Sequence, residues 1–235
     1  DLHKEYRRQR QMCIRDSHIG SQINQTEPFV EALDHLIRLQ QTLSEQGIKI
    51  EHLDLGGGLG IRYADEEELD IASYAQAVSN KLSGLNIELL IEPGRYLVAE
   101  SGLLLTRVEY LKPSRVPDQP NYAIIDAAMN DLIRPALYQA YHRVMSVGQS
   151  TTETVRWDIV GPICESGDFL ALQRDLALSE DSLLAILSTG AYGFVQSSNY
   201  NTRPRSAEVM IQDNDMRLVR VRESVSDLLH HERIL

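Results

Sequence analysis

The apolar positions divide the chain into two textures. From Thr26 onward, Phe29, Leu33, Leu36, Ile37 and Leu43 recur at helical spacing, Pro28 suits a first turn and Gly47 a stop, which predicts an amphipathic helix. Residues 50–55 then run apolar and alternating, as a buried strand does, and end in Gly56-Gly57-Gly58. Ile71, Ala75, Val78 and Leu82 put one apolar stripe on a second helix closed by Gly84. A further strand over 87–91 leads directly into Glu92-Pro93-Gly94-Arg95. This alternation predicts βα units of a parallel sheet or barrel, where functional residues gather at the strand ends.

Past about Ser101 the apolar runs become short and β-rich, at 103–111, 122–125, 155–160, 183–187, 209–212 and 216–221, separated by Pro, Gly, Asn and Asp. They predict an antiparallel β domain, barrel or sandwich, ending in a short helix from Ser226. The expected fold class is α/β plus β, with 18–101 as part of a TIM-type (β/α)8 barrel and 102–235 as the β domain. A complete barrel takes about 250 residues, and 18–101 has room for about three units of roughly 30 residues each. The barrel is therefore expected to be incomplete, with sheet edges and helix faces left to be covered. Residues 1–17, DLHKEYRRQRQMCIRDS, are polar and basic with neither strand alternation nor a helical stripe, and read as an anomalous leader foreign to the domain.

Composition narrows the function. With 235 residues, 43% of them hydrophobic and 24% charged, the chain can bury a sizeable core. A formal net charge of -11 and no basic face beyond the first residues argue against nucleic acid, which leaves a small molecule as the expected partner. No run approaches the roughly 18 apolar residues of a membrane span, and the N-terminus lacks the apolar core of a secretory signal. The expected compartment is the cytoplasm. Cys13 and Cys164 lie far apart, so neither a disulfide framework nor a metal site is expected, and Cys164 must serve chemistry or packing.

Two strand ends carry candidate chemistry. Gly56-Gly57-Gly58-Leu59-Gly60 can bring backbone N–H groups close to an anion, although plain tight turns are the commoner meaning of such glycines. Glu92-Pro93-Gly94-Arg95 adds a carboxylate, a fixed turn and a guanidinium, and its bland alternative is a Glu92–Arg95 ion pair. Two phosphate-competent turns on successive strand ends weigh more than either alone.

Six motifs occur in order: His18-Ile19-Gly20-Ser21-Gln22, LDLGGGLG, EPGRYLVAESG, GPICESGD over 161–168, Gly190-Ala191-Tyr192-Gly193, and Asn199-Tyr200-Asn201 with Arg203-Pro204-Arg205. Together they resemble the fold-III pyridoxal-phosphate-dependent decarboxylases, most closely the diaminopimelate decarboxylases, from His18 to the C-terminus. Arginine and ornithine decarboxylases share some of them. The resemblance implies pyridoxal 5'-phosphate as cofactor, with His18 stacked on its ring, Glu92 at the pyridine nitrogen, and Ser21, Gly57, Gly58, Gly94 and Arg95 at its phosphate. It implies Cys164 as the group that protonates the carbon after decarboxylation, supplied by the partner subunit of a homodimer with composite sites, and Glu165 at the substrate's distal amino group. Tyr192 would touch cofactor and substrate. Arg134 and Tyr138, with Arg95, would take a distal carboxylate, which favours diaminopimelate over ornithine because Arg offers that group a bidentate fork. Taken singly, Cys164 would read as inert core, Tyr192 as a satisfied core tyrosine, and Arg134 and Tyr138 as surface residues.

One expected part is missing. The cofactor of such enzymes is held as an imine on a lysine, and Lys4, Lys49, Lys81 and Lys112 all lie outside any motif of that kind. The chain is expected to be a fragment lacking the early barrel and inactive alone. A non-catalytic regulatory relative fits the absent lysine but not the retention of Cys164, Glu165, Arg134 and Tyr192. An amino-acid racemase would lack the GPICESGD logic.

Overall fold

The computed structural model describes residues 14–148 and 151–233. They form two compact units, one reaching Val98 and one beginning at Ala99.

The first unit contains β1 (Ile14–Asp16), α1 (Glu27–Glu45), β2 (His52–Asp54), α2 (Ile71–Leu82), β3 (Glu88–Leu90) and the short α3 (Gly94–Val98). The three strands are parallel and in order, with Arg15 opposite Leu53 and Leu53 opposite Leu89. The apolar stripes behave as their spacing predicts. Phe29, Leu33 and Leu36 from α1 and Tyr74 and Val78 from α2 bury against Ile50, Leu53 and Leu55, and the Phe29 and Tyr74 rings meet edge to face at 5.2 Å. Strand β1 corrects the reading of 1–17 as having no strand signal, since its last residues pair with β2. Three residues are too few to alternate visibly, and backbone pairing alone defines them. Residues 1–13 lie outside the described part.

Asp70 caps α2, its carboxylate accepting from the N–H of Ala72 at 3.0 Å and of Ser73 at 3.2 Å and from the Ser73 hydroxyl at 2.5 Å. The Ser73 hydroxyl, followed by the backbone donors, holds the Asp70 carboxyl below its ordinary value of 3.8. A folded-state pKa below the unfolded one stabilises the fold above the ordinary value and stops doing so as pH falls through the lowered one. Asp70→Ala is therefore expected to lower the melting temperature near neutral pH, and the gap from the parent should close in acid. Melting curves across pH, followed by circular dichroism, check both statements.

The second unit contains β4 (Leu104–Lys112), β5 (Asn121–Ile125), α4 (Arg134–Tyr138), β6 (Val144–Val147), β7 (Val155–Val160), β8 (Phe169–Leu176), β9 (Leu183–Ile186), a hairpin of β10 (Glu208–Gln212) and β11 (Asp215–Arg220), and α5 (Val225–Leu228). Six strands make one sheet in the order β6-β9-β4-β5-β7-β8, and its end strands approach each other, so it curls toward closure. The expectation of an antiparallel domain is corrected at one pair: β5 and β7 run parallel, from Asn121 opposite Trp157 to Ile124 opposite Val160. The connection through α4 and β6 is the crossover that a parallel pair requires. Two strands had no clear sequence signal. β6 is short and broken by Ser146, while β8 leaves strand geometry at Gln173, whose φ is +56°, and turns polar toward its end. Val108, Ile125, Leu132, Ile159, Leu170, Leu184 and Ile186 fill the core of this unit without exposure.

Candidate active site

In the first unit, pairing continues beyond the carboxyl ends of the parallel strands. Ser17 N donates to Asp54 O at 2.8 Å, Leu55 N to Leu90 O at 3.0 Å and Glu92 N to Gly56 O at 2.7 Å, which sets Ser17, Gly56 and Glu92 side by side. The triple glycine is needed for this closeness. A Cβ on Gly56 would overlap the Ser17 carbonyl, one on Gly57 the Glu92 carbonyl, and one on Gly58 the Gly20 carbonyl. Gly56 and Gly58 also take positive φ, +72° and +98°.

Two features stand at these strand ends. In one, a cleft of about 260 Å³ is lined by Ser17, His18, Asp54 and Glu92, and Asp54 Oδ1 accepts from Gly56 N at 2.8 Å. In the other, α3 presents Arg95, which donates from Nη1 to the Tyr63 hydroxyl at 2.7 Å and from Nη2 to Ser21 Oγ at 2.9 Å, with its guanidinium 5.8 Å from the Tyr63 ring centre. The segment carrying Ser21 is tied to the glycine loop by Ile23 N to Gly58 O at 2.9 Å and Gly60 N to Ile23 O at 3.0 Å. Gly94 N donates to Glu92 O at 2.8 Å, which tightens the turn into α3. No described lysine lines the cleft. Lys49 pairs with Glu51, Lys81 with Asp34 at 2.7 Å, and Lys112 ends β4.

The second unit gathers a different set. The loop between β7 and β8 carries Cys164 and Glu165, both exposed. Tyr200 donates to Glu165 Oε2 at 3.4 Å. Arg134 opens α4 and is 7% exposed, with its guanidinium 5.6 Å from the centre of the Tyr192 ring. Tyr192 takes φ +63°, in the left-handed region that non-glycine residues rarely occupy. Tyr138 ends α4, largely in solvent.

Two acids, Asp168 buried and Asp131 partly buried, hold this frame. Asp168 accepts from Met129 N and from Ile163 N, each at 2.7 Å, and burial pushes its carboxyl up against the pull of those donors. Asp131 accepts from Ala128 N at 3.0 Å, with its carboxyl likewise raised by burial. Arg203 lies 3.8 Å from Asp131 and donates to Asn130 Oδ1 at 2.8 Å and Asp126 O at 2.5 Å.

The profile of the family described as "Pyridoxal-dependent decarboxylase, C-terminal sheet domain" matches residues 23–190. The chain belongs to this family. The diaminopimelate decarboxylases of Pseudomonas fluorescens and Vibrio cholerae are 54% and 50% identical to it over 220 and 221 residues, each match covering 94% of this chain and 52% of the relative. Crystal structures of the diaminopimelate decarboxylases of Helicobacter pylori and M. jannaschii, each with L-lysine, superpose with TM-scores of 0.86 and 0.87 at 38% and 35% identity. They are covered to 53% and 51% of their length by 92% and 94% of this chain, which thus spans about half the length of these relatives.

In this pyridoxal-dependent decarboxylase family member, the residues expected from sequence fall into two groups. His18, Ser21, Gly57, Gly58, Glu92, Gly94 and Arg95 converge on one end of the parallel sheet, and Arg134 meets Tyr192 in the second unit. Cys164 and Glu165 lie on an exposed turn, and Tyr138 at the exposed end of α4. Four participants were given no role in the sequence reading. Asp54 and Arg203 lie inside quoted motifs and could have been singled out there, whereas Tyr63 and Asn130 act only through contacts that the folded chain makes.

Proposed function

We propose that this chain carries the carboxyl-terminal half of a diaminopimelate decarboxylase, converting meso-2,6-diaminopimelate to L-lysine when complete. The single observation that carries the proposal is the joint cradle of the first unit: Arg95 and Ser21 beside a glycine loop that no Cβ could enter, next to the cleft of His18 and Glu92. Those residues fit pyridoxal 5'-phosphate. Arg95, Ser21 and the backbone of Gly57, Gly58 and Gly94 would hold its phosphate, His18 would stack on its ring, and Glu92 would keep the pyridine nitrogen protonated. When bound, the cofactor supplies a sink for the electron pair released as carbon dioxide leaves.

The chain's own residues do the rest. Arg134, with Tyr138 and Arg95, binds the distal carboxylate, Glu165 the distal amino group, and Tyr192 orients the substrate by packing against it. Cys164 Sγ delivers the proton to the carbon that has lost its carboxylate. The three parallel strands belong to a larger (β/α)8 barrel, and the lysine that holds the cofactor comes from outside the described residues. The working assembly is a cytoplasmic homodimer in which Cys164 and Glu165 act on the cofactor bound by the other copy.

A chimera tests this. The half of the Pseudomonas fluorescens enzyme that matches this chain is replaced by it, and carbon dioxide release from meso-2,6-diaminopimelate is measured. Turnover within about tenfold of the parent is expected, the size of change that an imperfect junction brings. This chain alone should give none. A folded chimera that binds pyridoxal phosphate yet releases no carbon dioxide would overturn the proposal in favour of a regulatory relative.

A further inference from the structure

Asp168 is a buried acid that no step of the proposed chemistry uses. It is 4% exposed, and each of its carboxylate oxygens is engaged by a different stretch of chain. Oδ2 accepts from Ile163 N, the residue immediately before Cys164, and Oδ1 accepts from Met129 N, in the turn that leads to Arg134, both at 2.7 Å. The backbone of Asp168 closes the same loop, its N–H donating to Glu165 O at 3.1 Å and its carbonyl accepting from Gly161 N at 3.0 Å. Gly161 leaves room for the carboxylate: a Cβ there would overlap both oxygens. On its far side the loop touches α4, with the place of a Gly167 Cβ 3.8 Å from Ala136 Cβ.

Cys164 and Arg134 thus stand on two segments joined through one carboxylate. Each bond is from a backbone donor to a buried anion, the strong kind, and neither can be replaced by water at a buried site without loss. We infer that Asp168 is a positioning residue for proton delivery: by tying the Cys164 loop to the segment that carries Arg134, it fixes where the thiol stands relative to the bound substrate. The inference deepens the proposed function and rests on its reading of Cys164 as the proton donor. It predicts a loss in kcat larger than the loss in binding, because Arg134, Tyr138 and Arg95 stay in place and only the Glu165 contact, carried on the same loop as the thiol, loosens with it.

Asp168→Asn keeps the shape but turns one acceptor into an N–H that faces a backbone N–H. In this chain, hydrogen exchange over 161–168 should quicken by about tenfold or more while exchange in β5 stays unchanged, as expected for local rather than global opening. In the active chimera, kcat should fall by about tenfold to a hundredfold, with KM rising by a smaller factor as the Glu165 contact on the same loop weakens. Adding Asp168→Asn to Cys164→Ser should then cost no further kcat, since the effect on proton delivery runs through the thiol and has nothing left to act on. Gly161→Ala, which presses on the carboxylate from the other side, should reproduce the pattern if Asp168→Asn does not fold. Unchanged exchange over 161–168, or losses that multiply in the double variant, would overturn the inference. If Cys164→Ser alone leaves kcat intact, the reading of Cys164 fails and the inference falls with it, while the exchange data still report whether the clamp exists.

Discussion

Gly57→Ala is expected to dismantle the cofactor cradle. The added methyl would overlap the Glu92 carbonyl, which cannot yield because Glu92 is held by its own N–H to Gly56 O at 2.7 Å and its carbonyl accepts from Gly94 N at 2.8 Å. Relief must come from parting the second and third strand ends, which carries Glu92 and Arg95 away from the glycine loop. Overpacking against a fixed neighbour typically costs about 3 kcal/mol at its upper range. Gly47→Ala provides the comparison. Gly47, unlike Gly57, has a positive φ, +79°, but nothing lies within 4 Å of its would-be Cβ, so only the backbone preference is lost, about 1 kcal/mol. Thermal melting of this chain should rank the two variants in that order, and the Gly57→Ala chimera should lose pyridoxal phosphate on dialysis where Gly47→Ala retains it. Equal effects at the two positions would show that the close approach of strand ends does not matter.

Arg134→Gln should separate substrates rather than stop chemistry. The guanidinium is nearly buried and rests on the Tyr192 ring, so its planar fork is held in one place. Removing one partner of a buried charge pair weakens binding by roughly a hundredfold. KM for meso-2,6-diaminopimelate in the active chimera is therefore expected to rise by about that factor, while slow turnover of ornithine, which has no distal carboxylate, changes by less than about threefold. Melting of the variant beside the parent separates lost recognition from lost packing, since a packing loss at this nearly buried position lowers the melting temperature whether or not substrate is bound. A parallel fall for both amino acids would remove Arg134 from substrate choice and leave it as support for Tyr192.

Much of this was readable along the chain because it is local. Helical spacing placed Phe29, Leu33 and Leu36 on one buried stripe, Gly47 and Gly84 beyond the helix ends, and two glycine-bearing turns at the ends of strands. The misreadings share one cause, which is that they concern pairing. The parallel match of β5 with β7, the strand at Ile14–Asp16 and the broken strand at Phe169–Leu176 are defined by backbone bonds to distant partners, and side-chain pattern carries little trace of them.

The same division runs through the site. The order and chemistry of the motifs determined the family and nominated the glycines, Glu92, Arg95, Arg134, Cys164 and Tyr192, because reactive groups announce themselves by type and neighbourhood. Only the tertiary structure decided that each of the three glycines is required by a facing carbonyl, that Tyr63 and Ser21 share the Arg95 guanidinium, and that one buried carboxylate joins the Cys164 loop to the Arg134 segment. Steric exclusion and buried hydrogen bonds depend on which distant segments come within a few ångströms of each other, and that is a property of the packed chain.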